Sequence, residues 1–593
     1  MTKWFMSAKK ADFNRIAEKF NIDPVIARIM RNRDVITDEE IEAFLNGTMQ
    51  EIPLSGLMKD LDKAVSIIKR KISENRKIRI IGDYDVDGIC ATYILYKGLS
   101  ACGALVDTMI PHRILDGYGI NENLIRQAKE DGIDTIVTCD NGIAAKDAFA
   151  VGKQLGLTCI VTDHHEIPFV EKDGEKEYII PQVDALVDPK QPDCTYPNKS
   201  ICGAVVAFKL VEALMSACNV IEKDKICREL TEPAGLATVC DVMELQGENR
   251  ILVKTALQYM KNSANAGLRA LFKVNEIATE KISAYHLGFI IGPCLNATGR
   301  LDTAGIALEL LKTEVYEEAI PLATQLKQLN ENRKEMTAQG VAQAMELLEQ
   351  NEDENEKVIV LYLKDVHESL AGIIAGRIRE YCNKPVFVLT KAEDGVKGSA
   401  RSIEGYNIYE EMTKCKELFT KFGGHKMAAG LSLKEENIIP FRNRINELCK
   451  LTKEDFIEKI VIDVPMPLSY VSMELIKQLE LLEPFGVGNE KPVFAQKNIR
   501  FLSGNIIGKN KNMARFTVQD DTGRTYPMVL FKEYDKFAEY VTASFGSGAL
   551  NKLFSPQSKE EGEAVVMDII YYPSINEYRG NIQLQYVLQH YKK

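Results

Sequence analysis

The chain has no stretch approaching the roughly 18 consecutive apolar residues of a membrane-spanning helix. Its opening, MTKWFMSAKKADF, holds no apolar run of the signal-peptide kind. A cytoplasmic protein without a membrane partner is therefore expected. None of the 13 cysteines forms a CxxC pair, which leaves a zinc knuckle or ribbon without support. Cys139 and Cys159 fall inside apolar runs, where cysteine acts as a small hydrophobe, so a reduced intracellular chain is expected. Basic residues are outnumbered, 74 Lys and Arg against 85 Asp and Glu. The net charge of -11 excludes a protein coated with basic surface, and any nucleic-acid contact must use a local basic track. Histidine is scarce, with 7 in 593 residues, and no internal repeat is visible.

A chain of this length exceeds a single core and calls for three or four domains. Residues 1–55 read as helical and polar, with ITDEEIEAFLNG as a capped helix starting at Thr37, backed by Glu40 and stopped by Gly47. From about residue 56, strands and helices alternate. KIRIIGD, TIVTC, CIVT and ALVD read as short buried strands separated by helical stretches, the pattern of a parallel sheet. Such sheets place their sites at the carboxyl ends of the strands. Here every such end carries an acid: Asp83, Asp140, Asp163 and Asp188. Residues 200–315 read as mostly helical, and 316–350 as one long connecting helix. A second α/β unit follows from VIVLYL onward. From about 456 several short strands with turn residues suggest a small OB-like barrel, interrupted by SFGSGALNKLFSPQSKEEG, which reads as a loop insertion.

Three segments carry chemistry. GDYDVDG (82–88) packs Asp83, Asp85 and Asp87 into one loop, whose repulsion must be offset by solvent or cations. A solvated acidic turn is the plain alternative. A calcium loop is disfavoured because Ile94 occupies the twelfth position, where a Glu is needed. TCDNG (138–142) ends a strand on Asp140 and turns through Asn141-Gly142. TDHHE (162–166) sets His164 and His165 beside Asp163, again directly after a strand. Side by side on one sheet edge, these ends supply enough donors for two divalent ions about 3.5–4 Å apart, the arrangement that activates water and neutralises phosphoryl charge. A donor set rich in carboxylate leans towards manganese or magnesium.

A DxDxDG loop, an Asp-Asn-Gly and an Asp-His-His in this order resemble the DHH phosphoesterase superfamily. Within it, GPCLNATGRL (292–301), KGSARSIEGYNI (397–408), FGGHKMAAGL (422–431) and LEPFGVGNEKPVF (482–494) resemble the RecJ exonucleases along nearly the whole chain. ATVCDVMEL (237–245) resembles the family's further acidic segment, with Cys240 in place of the usual Ala. The resemblance implies Asp83, Asp85, Asp87, Asp140, His164 and Asp241 as ligands of two Mn or Mg ions. It implies His165, with Asp140 and His164, as the catalytic group at the scissile phosphate, and Asp163 as a residue that orients a neighbouring histidine. It further implies Arg113, Arg300, Ser399 and Arg401 as the holders of a terminal 5′-phosphate, with Gly423, Gly424 and His425 against the substrate backbone. Cys294 stands where the family usually has Arg.

The architecture implied is an N-terminal helical segment (1–55), a parallel-sheet DHH domain with helical extension (56–315), a connecting helix (316–350), an α/β DHH-associated domain (351–450) and a C-terminal OB-fold β-barrel (456–593). In that barrel Lys509, Lys511, Arg515, Phe516, Tyr571, Tyr572, Tyr578 and Arg579 are candidates for base and phosphate contact, with core tyrosines as the alternative. The activity implied is 5′→3′ hydrolysis of single-stranded DNA to 5′-mononucleotides in repair and recombination. A monomer is expected, with single-strand-binding protein and a recombination helicase as partners. Two alternatives stay open: a phosphodiesterase for oligoribonucleotides or cyclic dinucleotides, and a non-catalytic DNA-binding scaffold.

Overall fold

The computed structural model describes all residues except 1, 113–115, 117, 118, 173, 302, 303, 351–355, 393, 394, 556–562 and 579, together with the side chains of 301 and 578. The Arg113 and Arg579 assignments, and that of the Tyr578 side chain, lie outside the described residues. Two compact units result, residues 49–458 and residues 2–48 with 459–593.

The first unit is built on five parallel strands in the order Leu105–Met109, Lys77–Ile81, Thr135–Cys139, Thr158–Thr162, Ala185–Val187. The second strand in sequence lies on one side of the first and the third on the other, so the order reverses at the 77–81 and 135–139 pair. Such a reversal opens a crevice beyond the strand ends. Apolar residues fill both faces. Helices Leu61–Ser73, Val86–Ala101 and Gly203–Ala217 cover one, and Glu122–Glu130 and Lys146–Gln154 cover the other. Arg79 lies buried in the sheet between Asp107 and Asp131, which balance its charge.

Helix Tyr316–Gln350 spans the predicted connecting segment. Its Ala319, Ala323 and Leu326 join the core of the parallel sheet, and its Ala344 joins that of the following lobe. That lobe is a five-stranded mixed sheet in the order Phe419–Gly424, Ala428–Leu433, Gly395–Arg401, Val386–Ala392, Ile359–Tyr362. Only the last two strands pair in parallel, and the glycine-rich text forms the antiparallel half.

In the second unit, strands Phe494–Ile507, Met513–Gln519, Thr525–Leu530, Asn581–Lys592 and Val566–Tyr578 close into a barrel, because the first also pairs with the last. The N-terminal segment differs from the helical expectation. Thr2–Met6 is a strand paired with Glu458–Ile462, and the helices that follow share the barrel's apolar core. The predicted cap does form, with reciprocal bonds between Thr37 and Glu40. The segment read as a loop insertion instead begins within helix Tyr534–Phe545 and continues into helix Ser547–Phe554. Phe537, Val541, Phe545, Ala549 and Leu553 recur every four residues and bury one face. No helix among the described residues is long and apolar enough to cross a membrane.

Candidate active site

Each acid reaches the crevice by a local device. Asp85 caps helix Val86–Ala101, accepting from Gly88 N at 3.1 Å. Gly88 is required there, since a Cβ would sit 2.5 Å from the Asp83 backbone. Asp87, in the first turn, crosses to the start of helix Gly203–Ala217, where Gly203 N and Ala204 N donate to its two oxygens at 2.6 and 2.8 Å. A carboxylate at a helix N-terminus is favoured both by the free N–H groups and by the dipole. Asp140 follows its strand with φ 59°, a left-handed conformation that a short polar side chain tolerates. Asp241 ends helix Lys223–Cys240. The chain turns there through Val242 at φ 60°, with Val242 N bonded to Val239 O and Met243 N to Thr238 O. That is a Schellman closure with valine where glycine is usual.

These segments, distant in sequence, meet. Three groups place one ligand atom per residue within 4.8 Å of each other: Asp83 with Asp85 and Asp140, Asp87 with His164 and Asp241, and Asp140 with His164 and His165. His164 Nε2 faces Asp140 at 3.1 Å, Asp87 at 3.5 Å and Asp241 at 3.7 Å. Among the described residues two of the groups share Asp140 and two share His164, so the three overlap in one cluster that could hold divalent cations.

The electrostatics favour either bound protons or bound cations at this cluster. Burial, then the charges of Asp87, Asp85, Asp83 and Asp241, push the Asp140 carboxyl well above its ordinary range. Burial and Asp87 raise Asp85, and burial with Asp87 and Asp85 pushes Asp241 up to about 8. Asp241 Oδ2 is buried and makes no hydrogen bond among the described residues. Burial lowers His164, favouring the neutral imidazole that ligates metals. Crowded carboxylates, a neutral imidazole and a buried carboxylate oxygen without a hydrogen bond suit hard divalent ions.

Asp163 orients His165 rather than His164. Its carboxylate bonds His165 Nδ1 at 2.7 Å and accepts from the backbone N–H groups of Ile143, His164 and His165. Burial opposes a charged His165, but that bond and the charges of Asp163, Asp241 and Asp87 outweigh it and bring it up to about 9. Asp188 lies buried with Oδ2 lacking a hydrogen-bond partner among the described residues. Burial and Asp163 push it up to about 8.

Beside the acids opens a cavity of about 710 Å³. His165 and Tyr84 line it, with Ser369 and Lys397, Ser399, Lys421, Gly423, Gly424, His425 and Gly430 of the associated lobe. Gly423 and Gly430 leave its floor open, with no atom closer than 3.9 Å to a would-be Cβ. Arg300 and Arg401 are not among its lining residues, but Arg300 Nη1 donates to the carbonyl of the lining residue Ser369 at 2.8 Å. Arg401 Nη1 donates to Ala400 O at 2.9 Å. Burial and neighbouring Arg379 lower the Arg401 pKa, and no salt bridge engages Arg401 among the described residues. A desolvated guanidinium beside a second one is a setting for an anion.

Several residues escaped the sequence reading. Gly203 and Ala204 anchor Asp87, Asn296 Oδ1 accepts from Val86 N at 3.1 Å, and Tyr84 lines the cavity. Cys294 lies fully buried against Asn275 and Asn330, away from the cavity, so this position packs the connecting helix. Of the barrel candidates, Phe516 and Tyr571 belong to the core, and Tyr571 donates to Met466 O at 2.9 Å. Lys509, Lys511 and Arg515 are exposed.

A reversed-order parallel sheet with a carboxylate and histidine cluster at its switch point, joined to a glycine-floored lobe, defines a metal-dependent phosphoesterase of the DHH type. The DHH family N-terminal domain matches residues 77–238, the DHHA1 domain 355–451 and the RecJ OB domain 462–590. The chain is 33% identical to the single-stranded-DNA-specific exonuclease RecJ of Salmonella typhimurium over 508 residues, covering 82% of this chain and 86% of that one. It is 35% identical to the Bacillus subtilis protein of the same name over 513 residues, covering 86% of this chain but only 63% of that relative's length. The chain belongs to the RecJ family. Its fold matches the crystal structure of Thermus thermophilus RecJ in complex with Mn²⁺ with a TM-score of 0.80 at 24% identity, covering 100% of this chain and 79% of that one. A second structure, exonuclease RecJ bound to manganese, matches with a TM-score of 0.57 at 32% identity, covering 67% of this chain and 96% of that one.

Proposed function

We propose that this chain is a single-stranded-DNA exonuclease that works 5′→3′, releasing 5′-mononucleotides by hydrolysis at two divalent ions, Mn²⁺ or Mg²⁺. We place it in DNA repair and recombination, as a cytoplasmic monomer acting beside single-strand-binding protein and a recombination helicase. The observation that carries the reading is the shared trench. His165 beside the acid cluster and the open glycine floor of the associated lobe line one cavity of about 710 Å³.

Asp83, Asp85, Asp87, Asp140, His164 and Asp241 would hold the ions. When bound, these supply Lewis-acid neutralisation of phosphoryl charge and activation of water. The chain's own residues do the rest. Asp163 fixes the orientation of the His165 ring, which would meet a phosphoryl oxygen through its other nitrogen. Arg300, Ser399 and Arg401 take the terminal 5′-phosphate, while Gly423, Gly424 and His425 let the backbone approach closely. Water oxygen bonds to phosphorus as the bond from phosphorus to O3′ breaks, and O3′ leaves protonated. The shortened strand again begins with a 5′-phosphate, which re-enters the same clamp and supports processive removal.

The test uses purified chain with manganese and labelled 5′-phosphorylated strands, 5′-hydroxyl strands, duplex DNA and a dinucleotide. Mononucleotides released from the 5′ end of single strands are expected. Release from the 3′ end, preference for the dinucleotide, or no cleavage at all would overturn the proposal.

A further inference from the structure

On the helical run that packs against Cys240, the residue before Asp241, the surface carries an unusual pair of rings. Tyr285 and Phe289 are 62% and 69% exposed, and their rings stack with centroids 5.1 Å apart and planes 24° apart. Val242, the residue after Asp241, is likewise exposed. Single exposed apolar residues are ordinary, but two stacked aromatic rings held in solvent are not.

Local structure fixes the pair relative to the metal centre. Residues 284–301 form one helical run in which Leu287–Ile291 is a π-helical turn. Such turns recur at functional sites. The run presses on the end of helix Lys223–Cys240. A Cβ on Gly292 would come 2.4 Å from Cys240 Sγ, and Cys240 Sγ lies 3.6 Å from Leu287 O. The next residue of that helix end is Asp241. Further along, the same run reaches the Asp83–Asp87 loop through Asn296 and ends at Arg300 against Ser369. At 1.5 Å per residue, Phe289 lies about 16 Å along the rod from Arg300. One rigid element thus carries a phosphate-end clamp at its far end, touches the acid cluster midway, and presents two rings at its start.

We infer that Tyr285 and Phe289 form a stacking platform for the bases of a single strand on the side of the metal centre away from Arg300. This rests on the reading of the trench as a single-strand nuclease site. Aromatic faces accept any base, which suits an enzyme that must pass every sequence. The patch is too small for a stable protein partner. Two aromatic side chains bury roughly 150–250 Å² each, well short of the roughly 800 Å² per partner of a lasting interface.

The test pairs Tyr285→Ala/Phe289→Ala with Tyr285→Phe. 5′-phosphorylated strands carry 2-aminopurine at successive positions, and quenching is read on binding without divalent metal. KM and kcat are then measured with manganese on a long strand and a dinucleotide. The wild type is expected to quench one or two bases a few nucleotides from the 5′ end. The double variant should lose that quenching and raise KM for the long strand about tenfold or more, with a much smaller change in kcat and on the dinucleotide. Tyr285→Phe should keep both properties. Unchanged quenching and KM in the double variant would overturn the inference. So would equal losses on long strand and dinucleotide, or a wild-type dimer in sedimentation that the double variant abolishes. If the wild type cleaves nothing yet quenches through these rings, the nuclease reading fails while the platform stands.

Discussion

Gly203 offers a sharp probe of the site, because nothing in its own chemistry is catalytic. Its N–H donates to Asp87 Oδ2 at 2.6 Å, and a Cβ there would stand 2.7 Å from Asp140 Cβ and 2.9 Å from Asp140 Cα. Carbon atoms in contact prefer about 3.5–4.0 Å, so Gly203→Ala forces a separation of about 1 Å between the helix start and Asp140. Neither side yields alone. Asp140 sits at φ 59° directly after a buried strand, and the helix start is tied to Asp87 by two N–H groups. Both acids therefore shift, and between them they enter all three donor groups of the cluster. Overpacking of this kind costs about 1–3 kcal/mol of stability. A displacement near 1 Å in a catalytic constellation costs about a hundredfold in rate. The assay is kcat with saturating single strand across a manganese titration, with urea unfolding alongside. A variant that folds but turns over about a hundredfold more slowly, with its manganese midpoint raised, is expected. Near-normal turnover at the wild-type manganese midpoint would refute the convergence of Asp87 and Asp140.

Other consequences are equally concrete. Arg300→Ala removes the guanidinium beside Ser369 and should lower kcat/KM on 5′-phosphorylated strands about ten- to hundredfold, and on 5′-hydroxyl strands far less; equal losses on both would contradict the clamp. Lys209 and Glu248 form a fully buried ion pair at 3.1 Å, which Tyr196 completes. Lys209→Met strands the carboxylate and should cost about 3–5 kcal/mol in urea unfolding, and a loss below 1 kcal/mol would contradict this. Burial pushes Glu232 up to about 7 from its ordinary 4.5 despite a bond from Ser263. The folded chain thus holds that proton more tightly than the unfolded one. Its favourable contribution is complete below about pH 4.5 and lost as pH rises through 7, a swing of about 3 kcal/mol. Glu232→Gln should therefore match the wild type near pH 4.5 and exceed it at pH 8, whereas parallel urea midpoints at both pH values would exclude the effect.

What the sequence made legible followed from short-range physics. An acid placed directly after a buried β-rich run can only emerge at a strand's carboxyl end, which is why Asp83, Asp140 and Asp163 were readable as one rim. The long helix was readable from composition, and its 316–350 bounds match. Leu105–Met109 was not, because an edge strand with Asp107 at its centre lacks the apolar run; only its pairing beside Arg79 explains that charge. Thr2–Met6 was hidden for another reason, since its partner lies more than 450 residues away. The helices from Tyr534 to Phe554 were masked by glycine and serine, although the four-residue spacing of their buried residues was present in the text. Gly203 could not be read at all. Its importance comes from the approach of another segment, not from its neighbours in sequence.

The most direct measurement is the number of Mn²⁺ ions bound per chain, read by electron paramagnetic resonance during titration of the metal-free protein. Two ions per wild-type chain are expected, with Asp140→Ala losing tight binding of both, because Asp140 belongs to two of the three donor groups and faces His164, a member of the third, at 3.1 Å. A stoichiometry of none or one, or a full pair retained by Asp140→Ala, would contradict the paired centre.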